Sequence, residues 1–581
     1  MIRIVPAAFA FVLLSAAAGL AQQSPSPSRE AQLQRDGIIW TSHDAWGAPF
    51  AENLSPDLKV AGLSRFWMEV KLNFPNFARI AEVDWDKAYV DLIPKVRATS
   101  STYEYYRLLQ QMCALLKDGH SSVFLPKELA DRMEADVPLQ TELIQGRVFV
   151  TRVGSRALEA AGITPGLEIL TIDGAPVHEY AAAHRAPFVS SNSPQHRDLM
   201  VYSYGLLAGP RHRPTVLGLR RKDGTVVSKT VARTPYADTV ALPPVVYRQL
   251  DGNIAYLAIN TFNSEDVPTE FAKYLPAIRA SDGLIIDVRQ NDGGSGVIAY
   301  NIISYLTDKP FKTTASRTRQ YTATLRTWGK AGAWYEIAAP DWGAKPDSFY
   351  AKPVVMLIGP RSLSATDVFA ETFQRLHRGK LIGEPTGGSI GDPLPFALPG
   401  GGSARVATST DLGGGLVGRG VIPDVPVTRT IDDLLSSRDA ALAKGLEELR
   451  AAPPQYDAAL AKRLGASDRG MKAYVFVMLK TGPKADLSKE ELSKLFAGHL
   501  ANIKRLSHEG KLLLAGPFAD NKQSYEGIFI LNVATLQEAE TLMQTDPAVA
   551  SGRFVLEMVE WYGSAAIQEL PSIHARIETP R

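Results

Sequence analysis

The chain has 581 residues, 45% hydrophobic and 21% charged, a globular composition too long for one core, so three or four domains are expected. Its 63 basic and 61 acidic side chains leave a formal net charge of +2, so no global charge draws it to nucleic acid or an anionic membrane. A single cysteine excludes an internal disulfide. Ten histidines without an H-x-x-x-H pair or a second thiol argue against a metal, and no cofactor is expected.

Arg3 precedes an apolar run from Ile4 to Leu20, and Gly19-Leu20-Ala21 supplies the small residues a signal peptidase reads. Residues 1–21 are therefore expected to be an export signal cleaved after Ala21, with a periplasmic mature chain. Pro6 and Ser15 interrupt the run, which falls short of the roughly 20 apolar residues a stable membrane span needs. Residues 22–57 read as a Pro/Ser-rich linker. Residues 58–125 are a helical N-terminal region in which Tyr106, Leu109, Met112, Cys113 and Leu116 recur at helical spacing. Gly119 is the expected C′ stop, which sets His120 at the mouth of a turn, where a histidine is a solvated cap unless it faces a reacting group.

Residues 133–234 are β-rich: RVFVTRV, then ALEAAGI, then a strand and tight turn over Pro165–Gly174. This order resembles a PDZ domain, which implies binding of an extended peptide at a sheet edge; the alternative is a β spacer. Residues 243–450 form an α/β core. Asn253–Ile259 is a strand, Gly283–Val288 an apolar run suited to a buried parallel strand, and Ser295–Leu306 a helix. Gly293 and Gly294 lie at the corner between the last two, where bare amides face an oxyanion or make an ordinary turn. Val354–Ile358 is another strand, stopped by Gly359-Pro360, and Val368, Phe369, Thr372, Phe373 and Leu376 then follow helical spacing. Ser364 sits at that corner with the Ala365 amide beside it, either as an N-cap paired with Asp367 or as a nucleophile. Residues 451–469, with Pro453-Pro454, are a linker.

Residues 470–565 give the order β-α-β-β-α-β, a ferredoxin-like α+β domain. Lys504–Phe518 and Asp546–Phe554 resemble a YCII-like domain, which implies a site at His499 and Asp546; a homodimer through this domain is expected. The fold class is thus multidomain α/β, with a helical N-terminal cap, a PDZ-like domain, an α/β core and the ferredoxin-like end.

DGH at 118–120, NDGG at 291–294, GPRSLSATD at 359–367, GEPTGGS at 383–389 and GVIPDVPV at 420–427 fall in one ordered set. With the PDZ-like segment between the first two, the set resembles the tail-specific (carboxyl-terminal processing) protease and tricorn-core peptidase family over residues 60–440. The resemblance implies Ser364 as nucleophile and the amides of Gly293, Gly294 and Ala365 as oxyanion donors. The lysine base of the bacterial processing branch falls on Ser389, so the resemblance passes to the branch whose base is a histidine, here His120. Val417 stands where that branch has an orienting glutamate, and Asp411 and Asp118 are the nearest carboxylates in sequence. The expected function is an exported Ser-His peptidase acting on protein or peptide substrates. Two alternatives remain: a non-catalytic ligand- or peptide-binding protein on the same scaffold, or a C-terminal domain acting on a small molecule.

Overall fold

Six strands build the central sheet in the order Val425–Pro426, Gly379–Gly383, Val354–Ile358, Gly283–Asp287, Ile254–Ile259 and Val245–Leu250, all parallel except the last. The structure, a computed structural model, describes residues 47–234, 242–330, 332–413, 415–451, 458–484 and 486–578. The expected export signal and Pro453-Pro454 lie outside these residues. The chain divides into two compact units, Met1–Pro453 and Pro454–Arg581.

The central strands read as unbroken apolar runs because both faces are covered. Val354, Met356 and Ile358 face a core shared with Phe369 and Phe373 of helix Ala365–Arg375. Val355 and Leu357 point the other way, against Ala441 and Leu449 of helix Ala440–Ala451. Arg289 ties that second layer down by bridging Asp287, at the end of its strand, to Asp439.

Three helices, Pro56–Asn73, Trp85–Ala98 and Thr102–Ala114, form the N-terminal region. Each begins on a capping side chain: Ser55, Asp84 and Ser101 accept from the amides of Leu58, Lys87 and Glu104. Their apolar faces share one cluster with Phe396, Leu398, Ala404 and Val406 of the hairpin Pro393–Ala407. The helical region therefore has no separate core. Strand Ser122–Phe124 seals the join by pairing with Gly402–Ala407, Ser122 opposite Arg405 and Phe124 opposite Ser403. Gly119 is not the left-handed stop that was expected. The positive φ falls on Lys117, at 47°, after the helix has ended at Ala114.

The β-rich domain is a six-stranded sheet, with strands Leu139–Ile144, Arg147–Val153, Glu168–Ile172, Thr215–Arg220 and Val226–Val231 adjacent in that order and the short strand Ala175–Pro176 paired with Glu168–Ile172. Helices Val177–His184 and Pro194–Tyr202 accompany it. The C-terminal unit contains a four-stranded antiparallel sheet ordered Leu512–Pro517, Tyr525–Leu531, Met471–Thr481, Phe554–Ser564. Its helices Lys489–His508 and Leu536–Met543 follow the expected strand and helix order. Among the described residues no helix is long and apolar enough to cross a membrane.

Candidate active site

Ser364 lies where strand Val354–Ile358 turns into helix Ala365–Arg375, with φ 60° and ψ −119°. A side chain held there is strained, and such strain persists only where neighbours over-determine it. The neighbours are visible. The Ser364 amide donates to Asp367 Oδ2 at 2.8 Å and to the Ser389 carbonyl at 3.0 Å. Asp367 also accepts from Thr386 Oγ1 and the amides of Gly388 and Ser389. Fully buried, it is pushed up to about 7 by desolvation, against those four donors. The hydroxyl of Ser364 lies near the Asp367 amide in the manner of a capping box, yet makes no full cap hydrogen bond. Its close partner is His120 Nε2, at 3.0 Å.

His120 is brought to the corner from 244 residues away. Asp118 Oδ1 accepts its backbone amide at 3.0 Å and the Ser121 hydroxyl at 2.8 Å. Ser121 Oγ in turn accepts from the Ala407 amide. The turn and the pairing of Ser122–Phe124 thus fix where the ring can point. Burial lowers the imidazole to about 3, with the positive Arg405 and the neighbouring His196 adding to the shift. The ring is therefore neutral across the ordinary pH range and can accept a proton from Ser364.

The second ring nitrogen, Nδ1, stands 2.9 Å from Ser389 Oγ. No carboxylate among the described residues reaches it, which corrects the expectation placed on Asp118 and Asp411. Asp118 spends its Oδ1 on the turn. Asp411 Oδ2 accepts from the amides of Gly415 and Leu416. Val417 packs against the central core. With Nδ1–H donating to Ser389, the lone pair of Nε2 faces Ser364, which is the tautomer a general base requires.

Gly293 lies against the Ser364 corner. A Cβ there would come within 2.7 Å of Ser364 Cβ and 2.6 Å of the Leu363 carbonyl, and its φ is 100°. Only glycine fits that approach. The three expected oxyanion donors are not equivalent. The Gly293 amide already donates to Asn291 Oδ1 at 2.9 Å, whereas those of Gly294 and Ala365 have no partner among the described residues. Around the corner sit buried polar atoms without partners: Asp118 Oδ2, Asp292 Oδ1, Arg361 Nη2 and Arg405 Nε. Burial raises Asp118 and pushes Asp292 up to about 6. A cavity of about 760 Å³ between the core and the β-rich domain is lined by Gly359, Pro360 and Arg361, but not by Ser364 or His120.

In the C-terminal unit, His499 Nδ1 lies 2.7 Å from Asp546 Oδ2, both buried, with Phe529 stacked on the imidazole. Burial works against the Asp546 carboxylate, but the bonds from His499, the Ala548 amide and Asn502 outweigh it and hold it below its usual range. The same carboxylate caps helix Pro547–Ala550. No group of three or more potential metal ligands occurs among the described residues.

Residues 253–427 match the model of Peptidase family S41, and residues 474–562 match the YCII-related domain. A carboxy-terminal-processing protease of Bartonella bacilliformis is 25% identical over 305 residues, 51% of this chain and 63% of that protein. The chain thus spans less than two thirds of that relative's length. The uncharacterized protein YjpA of Bacillus subtilis is 37% identical over 65 residues, which cover 11% of this chain and 73% of YjpA. Among solved structures, mature CPAF complexed with lactacystin aligns with a TM-score of 0.55 at 17% identity, over 68% of this chain and 98% of that one. That likeness shows the shared fold.

Proposed function

Because the chain belongs to peptidase family S41 and carries a YCII-related domain after that region, we propose that it hydrolyses peptide bonds through an acyl-enzyme on Ser364, with His120 as the base. The observation that carries this reading is the 3.0 Å approach of Ser364 Oγ to His120 Nε2 from a strained corner. Ser364 Oγ bonds to the scissile carbonyl carbon as its proton passes to Nε2. The oxyanion that forms is held by the free amides of Gly294 and Ala365. Collapse breaks the C–N bond, and the leaving amine takes the proton back from His120. Water then repeats the sequence on the ester, returning Ser364. A base lowered to about 3 is weak, so this scheme depends on position and on stabilising the imidazolium only as it forms.

The substrate is a protein or peptide, with the β-rich domain, which borders the 760 Å³ cavity, acting as a PDZ-like module. Export with cleavage after Ala21 places the enzyme in the periplasm; mass spectrometry should find Gln22 at the mature N-terminus. The C-terminal domain is read as ferredoxin-like and as a dimer contact, which sedimentation checks. The absence of a carboxylate on His120 favours one rival, a binding protein without turnover on the same scaffold. A fluorophosphonate probe decides between them. It should label the intact protein and leave Ser364→Ala unlabelled; an unlabelled parent that binds peptide would establish the rival.

A further inference from the structure

The β-rich domain holds the far side of the site. Asn192, Ser193 and Gln195 donate to the carbonyls of Gly388, Gly387 and Thr386, at 2.5, 2.7 and 2.8 Å. They grip the loop that carries Ser389. Ser193 also caps helix Pro194–Tyr202 by accepting the His196 amide at 3.2 Å, which fixes His196 in the first turn. The His196 side chain is 3% exposed, and its Nδ1 has no hydrogen-bond partner.

Gly119 separates His196 from Ser389. A Cβ on it would lie 2.2 Å from Ser389 Oγ, 2.5 Å from His196 Cε1 and 2.9 Å from His196 Nδ1, so Ser389 Oγ and His196 Nδ1 are no more than about 5 Å apart, on either side of the place a side chain at 119 would fill. Ser389 Oγ takes the proton of His120 Nδ1 on one lone pair, and its own proton has no acceptor among the described residues. A buried hydroxyl left without an acceptor is destabilising. With its proton on Nε2, His196 offers Nδ1 as an acceptor, and that atom has no hydrogen-bond partner among the described residues. Burial, which lowers His196 to about 4, keeps that lone pair free.

We propose that His196 is a positioning residue: it accepts the Ser389 hydroxyl, directly after a small side-chain rotation or through one water, and so completes a Ser364–His120–Ser389–His196 chain. This rests on the peptidase reading above. A hydroxyl that donates onward is a better acceptor for His120 Nδ1–H, because hydrogen bonds in series polarise one another. The imidazolium that forms during attack therefore gains most. The charged and titratable groups around His120 are Arg405, Asp118 and His196; of the two unpartnered atoms Asp118 Oδ2 and His196 Nδ1, His196 Nδ1 is the one set near Ser389 Oγ across Gly119.

The rate at which a fluorophosphonate labels Ser364 in the full-length protein tests the chain without knowledge of the natural substrate. His196→Asn puts a carbonyl oxygen where Nδ1 was, whereas His196→Gln carries it to the Nε2 position. The Asn variant is expected to label within about threefold of the parent, and the Gln variant and Ser389→Ala about ten- to a hundredfold more slowly, a fraction of what a general base supplies. The double variant Ser389→Ala/His196→Gln should be no slower than either single one. In the slowed variants the acid limb of the labelling rate should move to lower pH, because the imidazolium has lost an acceptor. Equal rates for the Asn and Gln variants, or losses that multiply in the double variant, overturn the proposal while leaving Ser364 and His120 in place. A parent that takes no label removes the peptidase reading itself.

Discussion

Replacing Ser364 by alanine and by glycine separates the backbone of the corner from its chemistry. Both changes delete the hydroxyl and its 3.0 Å contact with His120 Nε2, so the stability difference between the two variants isolates the conformation. At φ 60° and ψ −119° a residue with a Cβ is strained by about 1–3 kcal/mol. Glycine escapes that strain but loses roughly 0.5–1 kcal/mol more chain entropy on folding. Glycine should therefore be the more stable variant by about 1 kcal/mol. In a chain of this size that difference moves a thermal midpoint by about 2 °C or less, so denaturant titration is the assay. Turnover should fall about a thousandfold or more in both variants. An alanine variant more stable than glycine by about 1 kcal/mol, as at an ordinary helix start, would refute the strained-corner reasoning. An alanine variant with full activity would refute the nucleophile.

Because burial lowers His120 to about 3 and His196 to about 4, NMR should find both rings neutral as pH falls through 6, and a His120 midpoint near the ordinary value of about 6.5 would contradict the site geometry. The unfolded chain takes up those two protons first, so these groups should cost stability progressively as pH drops from about 6.5 towards 4. Gly293→Ala forces a Cβ to within 2.7 Å of Ser364 Cβ; turnover should fall about a hundredfold, since misplacement of order 1 Å costs that much, and an active, folded variant would show that the corner yields. A chain ending at Ala451 keeps every described residue of the first compact unit and should retain peptidase turnover; loss of activity in a folded truncation would assign the C-terminal unit a part in bond cleavage.

The fold was legible where burial is two-sided or strictly periodic. Val354–Ile358 is a strand over the residues expected, and Gly283–Asp287 ends one residue short of the reading, because strands covered on both faces show as bare apolar runs. The helix after Ser364 was legible for the opposite reason, since Phe369 and Phe373 are four apart on one buried face. The hairpin Pro393–Ala407 escaped, and with it the reason the N-terminal helices stay put. Its partners Leu63 and Phe66 lie more than 300 residues earlier, and no local period reports such a contact. Gly119 misled because glycine after a helix reads as a stop, when here its missing side chain makes room for Ser389 and His196.

Ser389 shows where sequence reasoning about the site ran out. Read along the chain, it stands where the resemblance has a lysine, and Asp118 and Asp411 are then the nearest carboxylates for the ring. The position of the ring is set by Asp118 and by strand Ser122–Phe124, and neither says what 389 will meet. The electrostatics account for the choice of a hydroxyl. Asp118, Asp292 and Asp367 are already buried around this corner, and desolvation pushes all three up. A fourth carboxylate at Nδ1 would need its own donors in a space where Asp118 Oδ2 and Asp292 Oδ1 have none, and an unpaired buried charge is costlier than an unpaired hydroxyl. A serine orients the imidazole at 2.9 Å without adding charge. It gives up the attraction a carboxylate would offer the imidazolium, and Ser389→Asp measures that loss. If the desolvation argument holds, the aspartate variant should be less stable than the parent and should move the acid limb of Ser364 labelling upward. A stable variant with an unmoved limb would show that charge at Nδ1 is neither costly nor felt.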